Sequence, residues 1–409
     1  MKTSRIGCMI LGFGLLTTPL HAADPSQTGT FPIREGLVDI PRPDGTSFAA
    51  LITYPSQPDS WAPASTLMPG LVYAHGFLTP PELYRQTYRH LASHGFLVLA
   101  PRSALEPFPS HDAYAEDIRA CLDFFDQANL APSIPMRTGD QIVNLSFQER
   151  IPSNLYGLTG HSMGGGASIL AASRDERVTA LVPIAAAETR PSAIAAAPGV
   201  RSPTLFLTGN RDAITPSGRH TRPMTELMTA PWAWFDLRGA SHCGFVSFPL
   251  PDVVCDQATL PLNRQLALTH TYLTAFFQLH LQDDLSAWAR IWGINPRLDS
   301  LVFPVYRPGL EAQPLFQRVR TPAGANGQAT LTLRNDYTHP LDLHIDLLTQ
   351  ALPASASPTS ISGLAPGQTA TLTITWTQPP TGPRQAPVIV QIRDIHRQIG
   401  THAVVSGVR

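Results

Sequence analysis

The chain has 409 residues, a formal net charge of −1, only 14% charged residues and 40 prolines. This near-neutral balance leaves no electrostatic footprint for nucleic acid or an acidic membrane surface, and the length exceeds one typical domain. Lys2 is the sole lysine, which excludes Schiff-base and serine–lysine mechanisms.

Met1 to Arg5 is a basic start, Ile6 to Leu16 an apolar run, and Leu20-His21-Ala22-Ala23 a small-residue cleavage site. Together they predict a cleaved signal peptide over residues 1–23, with export to the periplasm or beyond. The apolar run is too short to span a bilayer, so no transmembrane segment is expected. Leu37 to Pro41 and Ser47 to Pro55 read as opening antiparallel strands around the Asp44-Gly45 turn. Gly70 to Ala74 is an apolar strand leading into His75-Gly76-Phe77. Further on, Ile118, Leu122 and Phe125 share a helical spacing that makes Cys121 a buried free thiol.

Leu155 to Thr159 is another short apolar strand, and Gly165 to Ala172 is a small-residue helix. Between them stands Gly160-His161-Ser162-Met163-Gly164, a G-x-S-x-G in the strand–turn–helix setting of a nucleophile elbow. The turn is so sharp that Gly160 and Gly164 must lack side chains, and it pushes the Ser162 hydroxyl outward. A serine, acid, histidine chain order goes with such an elbow. Ser202 to Gly209 reads as a buried parallel strand followed by Asp212, and Trp234 to Leu237 as a strand followed by Gly239-Ala240-Ser241-His242. Asp212 and His242 are therefore the expected acid and base, with Glu188 as the rival acid. The oxyanion hole is expected from the backbone N–H groups of Met163 and Phe77, with His75 and Gly76 shaping the turn.

Export makes disulfides available. Cys243 and Cys255 bracket one loop immediately after His242 and are expected to pair, the alternative being two unpaired thiols. Leu262 to Leu281 reads as a closing helix and Ser286 to Trp292 as a further short one. From about Arg307 the apolar period becomes two, in Ala329-Leu331-Leu333, Leu341 to Leu347, Leu372-Ile374-Trp376 and Val388-Val390-Ile392. Gly, Pro and Asn clusters punctuate these runs at the spacing of a small β-sandwich. Trp376 reads as core.

The stretch from Met68 to Phe245 resembles the secreted polyester hydrolases and bacterial cutinases. More broadly, it is similar to the dienelactone hydrolase, chlorophyllase and platelet-activating-factor acetylhydrolase branch of the α/β-hydrolases. The carrying pieces are Leu91 to Val98, Asp117 to Phe124, Gly160 to Gly166, Thr208 to Pro216 and Gly239 to His242. Alanine, in Ala185-Ala186-Ala187, stands where the polyester hydrolases place a tryptophan, and Phe77 stands where they have tyrosine. The stretch from Leu130 to Asn154 is longer than its cutinase counterpart.

The expectation is an α/β-hydrolase fold over residues 24–300 followed by an immunoglobulin-like β-sandwich over 301–409. The expected chemistry is carboxylic ester hydrolysis through an acyl-enzyme. The short connections from Ala185 to Arg201 and from Asp212 to His242 leave no room for a helical cap, so the site is expected to be open to extended or polymeric esters. No cofactor and no metal are expected, since no H-E-x-x-H or paired Cys/His spacing occurs, and the chain is expected to be a monomer. Two other readings stay open: a lipid acetylhydrolase, thioesterase or amidase on the same three residues, and a binding protein on a hydrolase scaffold.

Overall fold

The structure is a computed structural model that describes residues 24–249, 255–349, 352–381, 385–396 and 399–408. The expected signal peptide, residues 1–23, lies outside the described residues.

Eleven strands build the larger sheet. In chain order they are β1 (Ile33–Pro41), β2 (Ser47–Pro55), β3 (Gly70–Ala74), β4 (Leu97–Pro101), β5 (Ile134–Thr138), β6 (Gln141–Leu145), β7 (Tyr156–His161), β8 (Val178–Ile184), β9 (Thr204–Gly209), β10 (Trp232–Leu237) and β11 (Val302–Arg307). Their spatial order is β11-β10-β9-β8-β7-β3-β4-β2-β1-β5-β6. The middle, from β10 to β4, is parallel throughout, and its strands read as continuous buried runs because helices cover both faces. Those helices are α1 (Arg85–Ser93), α2 (His111–Leu130), α3 (Met163–Ala172), the one-turn α4 (Ala193–Ala196), α5 (Thr221–Leu227) and α6 (Leu262–Leu281), followed by the short α7 (Trp288–Ile291) and α8 (Asn295–Leu298). This is the mixed sheet of an α/β-hydrolase-like fold.

Both flanks carry additions. The opening hairpin β1–β2 forms as the turn at Asp44-Gly45 predicts. The long stretch after α2 folds into a second hairpin, β5–β6, which joins β1 through Leu37 and Arg137. At the opposite flank, β11 pairs antiparallel with β10 from Trp232–Arg307 to Leu237–Val302. This strand begins just past the boundary expected at 300/301 yet belongs to the larger sheet. Pro304 within it fits an outermost strand, where a missing N–H costs no ladder bond.

Beyond β11 the chain is all-β. One sheet holds β12 (Leu310–Gln313), β14 (Asn326–Asn335), β18 (Thr369–Thr377) and β16 (Ala354–Ser357). The other holds β13 (Phe316–Arg320), β20 (Gly400–Val408), β19 (Gln385–Asp394), β15 (Leu341–Thr349) and β17 (Ser360–Leu364). Strict alternation in β14 buries Ala329, Leu331 and Leu333 and leaves Gln328, Thr330 and Thr332 exposed. Trp376 is buried in this core, and a Cβ on Gly327 would stand 2.2 Å from its ring, so only glycine fits there. The apolar clusters of the two parts are continuous through Trp288, Ile291 and Trp292, and His402 Nδ1 lies 3.2 Å from the Trp292 carbonyl oxygen.

Candidate active site

Ser162 stands between the end of β7 and the start of α3, with φ 57° and ψ −120°. A side-chain-bearing residue seldom adopts positive φ, and where it persists the surroundings must hold it. Here they do so with backbone: Ser162 N–H donates to Ile184 O at 2.9 Å, and Ser162 O accepts from Ala187 N–H at 2.9 Å and Gly166 N–H at 3.2 Å. The elbow also needs its glycines. A Cβ on Gly160 would fall 2.5 Å from Gly164 O, and one on Gly164 would fall 2.2 Å from Ala74 O. Both obstacles are backbone and cannot rotate away.

Asp212 and His242 come from the loops after β9 and β10, at the same sheet edge as Ser162. His242 Nδ1 donates to Asp212 Oδ2 at 2.8 Å, which leaves Nε2 as the free ring nitrogen. Both side chains are buried, to 7% and 1% exposure. The Asp212 carboxylate accepts the backbone N–H groups of Ile214 (2.9 Å) and Thr215 (2.7 Å) on Oδ1. The Thr215 hydroxyl lies 2.8 Å from Oδ2 and 2.9 Å from Ala185 O, and its one proton goes to one of them. Burial pulls the Asp212 carboxyl up, but the His242 hydrogen bond and charge, with the Thr215 contacts, outweigh it and hold the group below its ordinary value. The ring of His161, next to Ser162, packs 4.4 Å from that of His242. Among the described residues Ser162 Oγ makes no hydrogen bond to His242, a contact that unliganded sites often leave long.

Glu188, the rival acid, is engaged elsewhere: its carboxylate accepts the Ile194 N–H at 3.0 Å at the start of α4. The His75–Phe77 loop runs against the elbow, for a Cβ on Gly76 would lie 3.5 Å from Ser162 Cβ. His75 is fixed by its N–H donating to Tyr114 Oη at 2.8 Å and by Nε2 within 2.7 Å of Ser103 O. Phe77 presents a half-exposed ring and precedes Leu78 at φ 51°. Met163 opens α3, so its N–H has no partner within the helix. Among the described residues neither the Met163 nor the Phe77 amide is matched to an acceptor.

Cys243 and Cys255 form a disulfide, and Cys121 is a buried free thiol. Asp256, which carried no sequence signal beyond its place beside Cys255, ties the site together. Its Oδ2 accepts the His242 N–H and the Ala213 N–H, each at 2.9 Å, so one carboxylate holds both the histidine loop and the acid loop. No group of three or more His, Cys, Asp or Glu suited to a metal ion occurs among the described residues.

Residues 18–248 match the family model described as PET hydrolase-like, which covers more than half of the chain. The chain belongs to the PET hydrolase-like family. Its similarity to individual members of known name is distant. It is 26% identical over 243 residues to Cutinase cut1 of Thermobifida fusca, covering 56% of this chain and 67% of that protein. Cutinase 2 of Thermobifida cellulosilytica is 29% identical over 156 residues, 37% of this chain and 52% of its own length. The PET hydrolase-like match ends at residue 248, before the all-β part begins.

Proposed function

We propose that this protein is an exported serine hydrolase that cleaves carboxylic esters through an acyl-enzyme on Ser162. The observation that carries the reading is the buried Asp212–His242 pair beside a serine held at φ 57° on a strand–helix elbow. His242 Nε2 takes the Ser162 proton as the oxygen attacks the ester carbonyl, and returns it to the departing alcohol. Asp212 fixes the Nδ1–H tautomer and stabilises the imidazolium. The amides of Met163 and Phe77 receive the oxyanion. Water then attacks the acyl-enzyme by the same proton path and frees the acid.

Site architecture supports an open cleft. The connection from β8 to β9 holds only α4 and a short 3-10 turn, with no helical cap. The exposed rings and chains of Phe77, Leu78, Ile214 and Phe248 belong to the loops around Ser162, Asp212 and His242. An extended ester, as the name of the cutinase relatives implies for them, suits such a cleft. The test is turnover of p-nitrophenyl esters from acetyl to long acyl chains by wild type and Ser162→Ala. Turnover lost in Ser162→Ala supports the reading. An inert wild type whose Ser162 also escapes a fluorophosphonate would sink it.

A further inference from the structure

The loop that carries Phe77 and the elbow that carries Ser162 share one buried hydroxyl. Tyr84 ends the short 3-10 turn Pro81–Tyr84 and is fully buried. Its Oη accepts the Gly76 N–H at 3.2 Å and lies 2.8 Å from His161 Nδ1. The oxygen accepts the Gly76 N–H, and its one proton goes either to His161 Nδ1 or to the neighbouring Thr79 hydroxyl, the second case placing the His161 proton on Nδ1. Burial pushes the Tyr84 phenol up, and burial followed by the neighbouring His242 pushes the His161 imidazole well down, so both groups stay neutral. An Nδ1 that accepts leaves His161 neutral with its proton on Nε2. The packing is close on every side: a Cβ on Gly76 would meet Tyr84 Oη at 3.1 Å, His161 Nδ1 at 3.3 Å and Ser162 Cβ at 3.5 Å.

We propose that Tyr84 is a positioning residue, whose hydroxyl bridge from Gly76 to His161 sets the Phe77 amide against Ser162 and fixes the neutral tautomer of His161 beside His242. The inference rests on the serine hydrolase reading. It deepens that reading by naming what aligns the two halves of the oxyanion hole, one on each side of the bridge. Imidazolium must form on His242 during attack, and a second cationic ring 4.4 Å away would oppose it. A displaced Phe77 amide would weaken the oxyanion contact, to which rate is steeply sensitive.

Tyr88 supplies a matched control. It is equally buried and packs with Tyr84 around Tyr73, at ring distances of 5.0 Å for Tyr84 and 5.1 Å for Tyr88, but its hydroxyl has no hydrogen-bond partner among the described residues. The experiment compares Tyr84→Phe with Tyr88→Phe in ester turnover, with nitrogen NMR on histidine-labelled protein. Tyr84→Phe is expected to lower kcat by about tenfold to a hundredfold with KM within about twofold, since the loss falls on the transition state. Tyr88→Phe is expected to keep the wild-type kcat. Wild-type His161 is expected to show an unprotonated, hydrogen-bonded Nδ1 that shifts in Tyr84→Phe alone. Equal kcat in the two variants, or a protonated Nδ1 in wild type, would overturn the proposal. A wild type inert toward esters would remove the enzyme reading instead, and the nitrogen signal would then decide the bridge by itself.

Discussion

Replacing Cys243 and Cys255 together by alanine tests how the histidine loop is held. The bridge closes a loop of sequence separation 12. Opening it returns chain entropy to the unfolded state, worth about 3 kcal/mol at 25 °C from the loop-length relation. For a unit of this size that corresponds to a fall in melting temperature of about 5 °C. The kinetic consequence is separate. Cys255 precedes Asp256, whose carboxylate holds the backbone of His242 and of Ala213, so a slack loop loosens both catalytic candidates at once. Thermal unfolding of the oxidised wild type and the double variant measures the first effect, and kcat/KM at 25 °C, where both remain folded, measures the second. Asp256→Ala, with the disulfide intact, is expected to reproduce most of the activity loss with a smaller fall in melting temperature. An unchanged melting temperature in the double variant would refute the loop-closure argument, and unchanged activity in both variants would refute the role given to Asp256.

Three further outcomes follow from other contacts. Thr215→Val removes a hydroxyl from the Asp212 carboxylate and is expected to lower kcat/KM about tenfold, the worth of a hydrogen bond to a charged group; an unchanged value in the ester assay would assign the Thr215 proton to Ala185 O. Arg177 binds Asp123, Asp126 and Asp175 at 2.8, 2.6 and 2.7 Å, so Arg177→Met leaves the buried Asp175 with only Arg119, at 3.4 Å, as a charged partner and is expected to cost about 2 kcal/mol in urea unfolding. His90 and His270 stack at 4.5 Å, and burial, then neighbouring histidines, pushes them down to about 4 and about 3. Both stay neutral in the fold while the unfolded chain binds protons near pH 6.5. Stability is then full above pH 6.5 and falls on acidification toward pH 4, by up to about 2.7 kcal/mol per pH unit for two protons. Melting curves from pH 7 to pH 4 should show that slope, and His90→Gln with His270→Gln should flatten it.

What was legible from the chain is what has a local signature. The elbow announces itself because glycines at 160 and 164 flank a serine between a strand and a helix. Asp212 and His242 could be picked because each follows a strand of the parallel sheet, and Cys243 with Cys255 because one loop separates them. The helix from Leu262 to Leu281 and the alternating strands of the all-β part follow from apolar period alone. Pairings across the chain have no such signature. The bridge from Tyr84 to His161 spans 77 positions, and Asp256 is one aspartate among many until the fold brings it under His242. The β5–β6 hairpin shows in the sequence only as extra length, since its partner β1 lies about a hundred residues earlier. One ladder pair, Leu37 with Arg137, an Arg137–Asp39 ion pair and the buried Ile134 and Met136 fasten that hairpin to the sheet.

The strand Val302–Arg307, just before the all-β part, shields the margin of the larger sheet. Its six paired positions satisfy the outward ladder of β10, a strand carrying Trp232, Trp234 and Phe235. A protein cut at residue 300 would keep every residue named in the active site, yet bare that aromatic margin as a template for joining other chains. Proteolytic trimming before Val302 would thus keep every residue of the candidate site while inviting aggregation. A cut after Arg307 would spare the shielding strand but bare Trp288, Ile291 and Trp292, which share one apolar cluster with the all-β part, so the two truncations expose different apolar surfaces.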